Sequence, residues 1–313
     1  MGKIIDVSRL VKKYNKANTN AVDDITFDVS EGEFFSFLGP NGAGKTTTIS
    51  ILTTTLSKTS GKVSLAGYDL DKNQKEVRKS IGIIFQNPSL DQNLTAEENV
   101  RFHAILYGIY PFAPTFGFMS KAYQKKVYEL SEILGIQKDI FKPIKTFSGG
   151  MKRKLEIMRS LIHKPKILFL DEPTSGLDPL SRKNLWQYLN EVRKSEKTTI
   201  FLTTHYLEEA EGADHVFIIN KGKIVSSGTP SKIKKELIKN YLLVDSKSKR
   251  KLISELKKLK LNFEEKENIM INLRGKNPQK VISSIKTPLN YLDIHNPTLE
   301  DAYLEIIENN NHA

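Results

Sequence analysis

The chain has 313 residues, 39% of them hydrophobic and 27% charged. That is enough to bury a sizeable core and argues against a disordered chain. There is no cysteine, which excludes disulfides, thiol catalysis and zinc–thiolate sites, and the net charge is +12.

The charge is unevenly placed: residues 221–280 hold 17 Lys/Arg against 6 Asp/Glu, and residues 281–313 hold 1 against 5. The basic stretch fits attraction to an anionic surface or, more simply, solvated helix faces. No aromatic-interleaved basic motif accompanies it, so no nucleic-acid partner is expected. The first residues, MGKIIDVSRLVKKY, lack the apolar core of a signal peptide. The run AILYGIYPFAPTFGFMS, residues 104–120, is interrupted by Pro111 and Pro114. It is shorter than the roughly 20 residues a membrane span needs, so it reads as an exposed or partner-facing loop.

Residues 4–38 alternate apolar and polar in short runs and predict antiparallel strands with Gly-bearing turns. FFSFLG then runs into a glycine-rich loop and a threonine-rich helix, GKTTTISILTTTL, which its Ile49/Leu52/Leu56 spacing supports. GKVSLAGYDL and IGIIFQ predict further strands. From about 95 to 163 the pattern is helical: TAEENVRFHAILYG, KAYQKKVYELSEILGI and SGGMKRKLEIMRSLIHK. Two continuous apolar strands follow, KILFLDE and TTIFLTTH, with a helix between them, the pattern of a buried parallel sheet. HVFIINKGKIVSSGT predicts a hairpin turning at Lys221 and Gly222. Beyond about 232, YLLVDS, NIMINLR and NYLDIHN predict strands, while SKRKLISELKKLK, NPQKVISSI and TLEDAYLEIIE predict helices. Leu252, Leu256 and Leu259 give the first of these helices one apolar stripe. Together they predict a small α/β domain.

GPNGAGKT, Gly39 to Thr46, matches G-x-x-x-x-G-K-[ST] and sits between a predicted strand and a predicted helix, the context that motif requires. Glycines let the backbone wrap phosphates with its N–H groups. Lys45 is placed to reach the β- and γ-phosphates and the Thr46 hydroxyl to ligate Mg²⁺. ILFLDE ends a buried strand on two carboxylates, at the sheet edge where α/β folds bind ligands. Asp171 is suited to hold Mg²⁺ and Glu172 to accept a proton from water; taken alone, the pair also reads as a solvated acidic cap. His205 and Gln86 end strands of the same kind. Tyr14 fits an adenine-stacking ring or simple core packing. A second anion site appears at Ser148, Gly149 and Gly150, where Ser148 caps a helix whose first residues are bare glycines.

In this order the motifs resemble the ATP-binding cassette (ABC) ATPases, over residues 4 to 235. The resemblance assigns Tyr14 to the adenine-stacking aromatic and GPNGAGKTT (Gly39, Pro40, Asn41, Gly42, Ala43, Gly44, Lys45, Thr46 and Thr47) to the Walker A loop. Gln86 falls on the glutamine loop, with a role toward Mg²⁺, and Ser148–Gly150 on the signature. ILFLDE matches the Walker B strand, SGLD with Asp178 the D-loop, and His205 the switch histidine. It implies a P-loop α/β fold, with a RecA-like core, an antiparallel β subdomain and an α-helical subdomain at about 88–163. It also implies ATP and Mg²⁺ as ligands, Glu172, His205, Gln86 and Lys45 as catalytic residues, and two cassettes closing head to tail on each nucleotide. The signature reads FSGGM where the family has LSGGQ, and Met151 lacks the polar contacts of a glutamine.

FSGGMKRK, QNPSLDQNLTAEENVRFHAILYG and NPTLEDAYLEI resemble the daunorubicin-resistance type of bacterial exporter ATPase. That subgroup implies a cassette over 4–234 and an accessory domain over 235–313. It also implies a second copy of the chain and a separate membrane-spanning permease, at the cytoplasmic face of the bacterial cell membrane. A soluble ABC protein acting on ribosomes or DNA, and the ATPase of an importer, are the alternatives. The stretch YPFAPTFGFM at 110–119 either meets the membrane subunit or packs on the helical subdomain.

Overall fold

The structure is a computed structural model that describes residues 2–15, 17–85, 89–174, 176–204, 206–237, 241–265, 267–273, 276–295, 298–303 and 306, without the side chains of 235–237. Gln86, Ser175 and His205, named above, lie outside the described residues. The chain divides into two compact units, residues 1–227 and 228–313.

The first unit holds two sheets. Strands β1 (Lys3–Lys12), β2 (Val22–Ser30), β4 (Ser60–Leu65) and β5 (Tyr68–Asp69) form an antiparallel sheet in the order β2-β1-β4-β5. The larger sheet contains β3 (Phe34–Leu38), β6 (Ile81–Ile84), β7 (Ile167–Asp171), β8 (Thr199–Thr204), β9 (His215–Asn220) and β10 (Lys223–Gly228), in the order β10-β9-β3-β8-β7-β6. Its β9/β3, β3/β8, β8/β7 and β7/β6 pairs are parallel. The expectation of antiparallel strands throughout 4–38 is therefore corrected for β3, which lies parallel between β8 and β9. All five of its residues are buried, as a central strand covered on both faces requires. The two sheets meet through phenylalanines: Phe27 of β2 lies 5.6 Å from Phe35 and 5.8 Å from Phe37 of β3, ring centre to ring centre.

Helix α1 (Lys45–Leu52) follows β3, and α2 (Gln74–Ser80) precedes β6. Helix α1 stops before Leu56, short of the stretch its sequence predicts. The Thr53 hydroxyl donates back to the Ile49 carbonyl at 2.8 Å, and Thr54 turns to φ 63°. Short hydroxyl side chains compete with the helix for its own carbonyls.

The helical arm consists of α3 (Ala96–Leu106), α4 (Lys121–Ile133) and α5 (Gly149–Leu161), entered through Thr95, Ser120 and Ser148 as N-caps. Buried Arg101 of α3 donates to the carbonyls of Ala113 at 2.8 Å and Pro114 at 2.9 Å in the segment between α3 and α4, and pairs with buried Glu97 at 3.1 Å. Residues 110–119 are thus half packed and half presented: Ala113 and Met119 are buried, while Phe112 and Phe118 are 72% and 76% exposed. Helix α6 (Pro179–Glu196) links β7 to β8, and α7 (Leu207–Ala210) follows β8. The β9–β10 hairpin turns where expected, with φ 47° at Lys221 and 80° at Gly222, the positive pair a tight hairpin turn needs.

The second unit begins with α8 (Pro230–Leu237). Strands β11 (Tyr241–Asp245), β12 (Asn262–Glu265), β13 (Ile269–Asn272) and β14 (Tyr291–His295) form an antiparallel sheet in the order β12-β13-β11-β14. Helices α9 (Lys249–Lys258) and α10 (Pro278–Ser284) complete it. Its core joins Leu242, Val244, Ile269 and Ile271 to Leu252 and Leu256, while Lys251, Lys257 and Lys258 of α9 are exposed. Strand β12 escaped the sequence reading, since NFEE at a sheet edge buries almost nothing.

Candidate functional site

Parallel pairing brings the C-terminal ends of β3, β7 and β8 to one edge: Leu38 pairs with Thr204, and Asp171 with Thr203. The loop Gly39–Thr46 leaves β3 at this edge and wraps into α1. It passes close against the β9–β10 hairpin. A Cβ on Gly39 would lie 2.3 Å from the Ile219 carbonyl oxygen, and Gly44, at φ 110°, would bring one within 2.5 Å of the Ala21 oxygen. Only glycine fits these two positions. The Gly222 N–H anchors the loop at the Ala43 carbonyl, at 2.9 Å, and the Ala43 N–H donates to Pro40, at 3.2 Å.

Lys45 is buried and donates to the carbonyls of Gly39 at 2.5 Å and Pro40 at 3.1 Å. Burial pushes its ammonium below the ordinary lysine range, while the charges of Glu172 and Asp171 pull it back up. Asp171 is buried at the end of β7 and accepts hydrogen bonds from the hydroxyls of Thr203 and Thr46. Burial holds its carboxyl above the usual range, opposed chiefly by the Thr203 hydroxyl. Glu172 is buried too, with its N–H on the Thr203 carbonyl at 2.9 Å and its backbone in the left-handed region at φ 50°. The structure therefore brings Lys45, Thr46, Asp171 and Glu172 together. Thr47, half-buried, lies 3.3 Å from the hydroxyl of Tyr14, whose ring is 45% exposed rather than in the core. Asn41 and Gly42 are exposed at the tip of the loop.

The helix start at Ser148 is capped as its sequence predicts. Ser148 caps α5 by accepting from the Met151 N–H at 3.3 Å, so residue 151 serves the cap through its backbone. Space is open around Gly149, and Gly150 faces the Gly176 carbonyl. Among the described residues, no hydrogen bond or ion pair joins Ser148, Gly149 or Gly150 to the Gly39–Thr46 loop. Asp178 caps α6, accepting from the N–H of Ser181 at 2.9 Å and its hydroxyl at 2.5 Å, which lowers its carboxyl below the usual range.

Two structural anchors of this edge were not picked out from the sequence. Arg153 of α5 is buried and donates to the carbonyls of Asp171, Glu172 and Pro173 at 3.0, 2.8 and 2.8 Å, and to that of Phe85. Glu209 of α7 accepts from Thr174 at 2.5 Å and Thr204 at 2.8 Å, joining the segments after β7 and β8. A signal for Arg153 existed: Arg153, Glu156 and Ser160 recur at helical spacing and share a buried face.

The ABC transporter family profile matches residues 22–175. The daunorubicin/doxorubicin resistance ATP-binding protein DrrA of Streptomyces peucetius is 38% identical over 241 residues, 77% of this chain and 69% of that protein. The chain belongs to the ABC transporter ATP-binding proteins. The bacitracin transport ATP-binding protein BcrA of Bacillus licheniformis is 38% identical over 226 residues, 72% of this chain and 69% of that protein. The probable multidrug ABC transporter ATP-binding protein YbhF of Escherichia coli is 37% identical over 231 residues, and the cassette here spans only 38% of that protein's length. Among solved structures, an ATP-binding subunit of an ABC transporter superposes with a TM-score of 0.66 at 30% identity, covering 74% of this chain and 92% of that one. A dimeric bacterial ABC transporter cassette superposes at 0.65 and 25% identity, covering 72% and 98%. The α/β fold is that of an ABC ATPase.

Proposed function

We propose that the cassette binds ATP with Mg²⁺ at the Gly39–Thr46 loop, hydrolyses it, and powers a separate membrane-spanning permease that exports a drug or antibiotic. The observation that carries this reading is the cluster of buried Lys45, Asp171 and Glu172 with exposed Thr46 at the end of the parallel sheet. The exporter assignment rests on the relatives named for multidrug, bacitracin and daunorubicin transport.

The donors suit the ligands. The loop has no room for side chains at Gly39 and Gly44, as a backbone cradle for phosphate needs. Thr46 and Asp171 offer oxygen ligands of the kind Mg²⁺ takes, and among the described residues no larger His, Asp or Glu cluster competes for a metal. Mg²⁺, when bound there, neutralises charge on the phosphates. Lys45 leaves the carbonyls of Gly39 and Pro40 for phosphate oxygens. Glu172 orients the attacking water and takes its proton. Tyr14 stacks on the adenine. Gln86 and His205 are assigned to the same site through the motifs alone.

The second anion site serves the nucleotide of a second copy. A capped helix start with two bare glycines is a sound donor to a phosphate held elsewhere. Among the described residues Ser148–Gly150 make no bond to the phosphate loop of their own chain, in keeping with a site completed between chains; the family resemblance implies the cytoplasmic face of the membrane for those chains. Residues 4–234 form the cassette and 235–313 the accessory domain in this reading. Phosphate release from Mg-ATP tests it: the native protein should turn over, and Glu172→Gln should bind nucleotide but release little phosphate. Equal rates in the two would refute the assignment of Glu172.

A further inference from the structure

We propose that Arg153 is a positioning residue that holds the backbone of Glu172 and thereby links the helix starting at Ser148 to the carboxylate that handles water in the same chain. The proposal rests on the reading of Glu172 given above.

Glu172 sits at φ 50°, a conformation costly for a side chain with a Cβ. Such strain persists only where neighbours over-determine it. One restraint is the bond from its N–H to Thr203 on β8. Another is Arg153, whose guanidinium bonds three consecutive carbonyls, those of Asp171, Glu172 and Pro173. A planar fork with five N–H groups can span such a row, whereas a lysine ammonium is a single point. The charge is balanced by buried Glu156, at 3.2 Å.

The same helix face reaches the strand next to β7. Arg153 bonds the Phe85 carbonyl at the end of β6. Glu156 accepts from the Ser89 N–H at 2.8 Å, and Arg159 donates to the Ser89 carbonyl at 2.8 Å and hydroxyl at 2.7 Å. Helix α5 is thus fixed to the ends of two adjacent strands by charge-assisted bonds that soft apolar packing would not supply. Ser148, Gly149 and Gly150 stand at the start of the helix that carries Arg153, so a ligand that shifts that start shifts Arg153 with it. A change there is passed to the Glu172 backbone of the same chain, so occupancy of the partner's nucleotide site adjusts the geometry of this one.

The test compares the native protein with Arg153→Lys and with the pair Arg153→Gln/Glu156→Gln, which removes both charges so that neither is left buried alone. Each is also made on a Glu172→Gln background. Steady-state ATP hydrolysis, affinity for a fluorescent ATP analogue and thermal melting are measured together. The expected result is a fall in kcat on the order of 100-fold for the pair, as for a small misplacement of a reacting group. KM and analogue affinity should be little changed, Arg153→Lys should fall between the native protein and the pair, and nothing further should be lost on the Glu172→Gln background. If the pair does not fold, Arg153→Lys carries the comparison through the same lack of additivity. Native kcat in the Arg153 variants, with Glu172→Gln inactive, would overturn the positioning role alone. So would an equal additional loss on top of Glu172→Gln. Native hydrolysis by Glu172→Gln would overturn both readings.

Discussion

Lys45 turns its ammonium onto the carbonyl of Gly39, 2.5 Å away, although two carboxylates lie in the same cluster. The loop therefore satisfies its own cation, and on the proposed function any bond Lys45 gives to nucleotide replaces one it already makes. Lys45→Ala should weaken binding of a fluorescent ATP analogue by roughly 10- to 100-fold, the worth of one hydrogen bond to a charged group. Titration of the analogue against both proteins checks this. Unchanged affinity would mean that the phosphates sit elsewhere.

Asp171 carries a stability cost that pH should expose. Burial is the main reason its carboxyl is raised above 3.8. Such a group adds stability while protonated, below its unfolded value, and loses that contribution as pH rises through its folded value. At neutral pH the ionised form is therefore a burden on the nucleotide-free protein. Asp171→Asn keeps an oxygen for the Thr203 hydroxyl and removes the charge. It should raise the denaturant midpoint at neutral pH, with the gain shrinking toward acid pH, and it should abolish hydrolysis. A neutral-pH midpoint below that of the native protein would contradict the sign.

The Glu97–Arg101 pair predicts a different outcome. Both side chains are buried, and Arg101 also fixes the carbonyls of Ala113 and Pro114. Arg101→Met leaves Glu97 buried with the Tyr123 hydroxyl but without its cation, a change that costs about 3–5 kcal/mol in such settings. It should also release the segment bearing Phe112 and Phe118. Limited chymotrypsin digestion should then cut within 110–119 faster than in the native protein, and urea unfolding should report the loss of stability.

Much of this was legible in the sequence because the chemistry is local. The phosphate loop, the carboxylates ending ILFLDE and the cap at Ser148 each lie within a few consecutive residues, and a strand or helix on either side fixes their context. Pairing partners are not local. FFSFL reads as a strand from its own residues, but whether it runs parallel or antiparallel depends on β8 and β9, more than 150 residues away in the chain. The end of α1 was missed because a threonine's choice between helix and back-bonding is decided by small energies. Arg153 was passed over because a basic residue in a basic helix looks like solvated surface, and only the fold shows three carbonyls converging on it. The family resemblance supplied what spacing alone does not, namely the expectation that the Ser148–Gly150 site of one chain completes the nucleotide site of another.

That last point is the centre of the functional account, and sedimentation measures it most directly. Glu172→Gln should bind ATP without consuming it, so its mass is compared with and without Mg-ATP, alone and with Ser148→Arg added. The split site requires a dimer that forms only with ATP and is lost when an arginine fills the start of α5. A Glu172→Gln protein that binds ATP yet stays monomeric, or one that dimerises regardless of Ser148→Arg, would contradict a nucleotide shared between two identical chains.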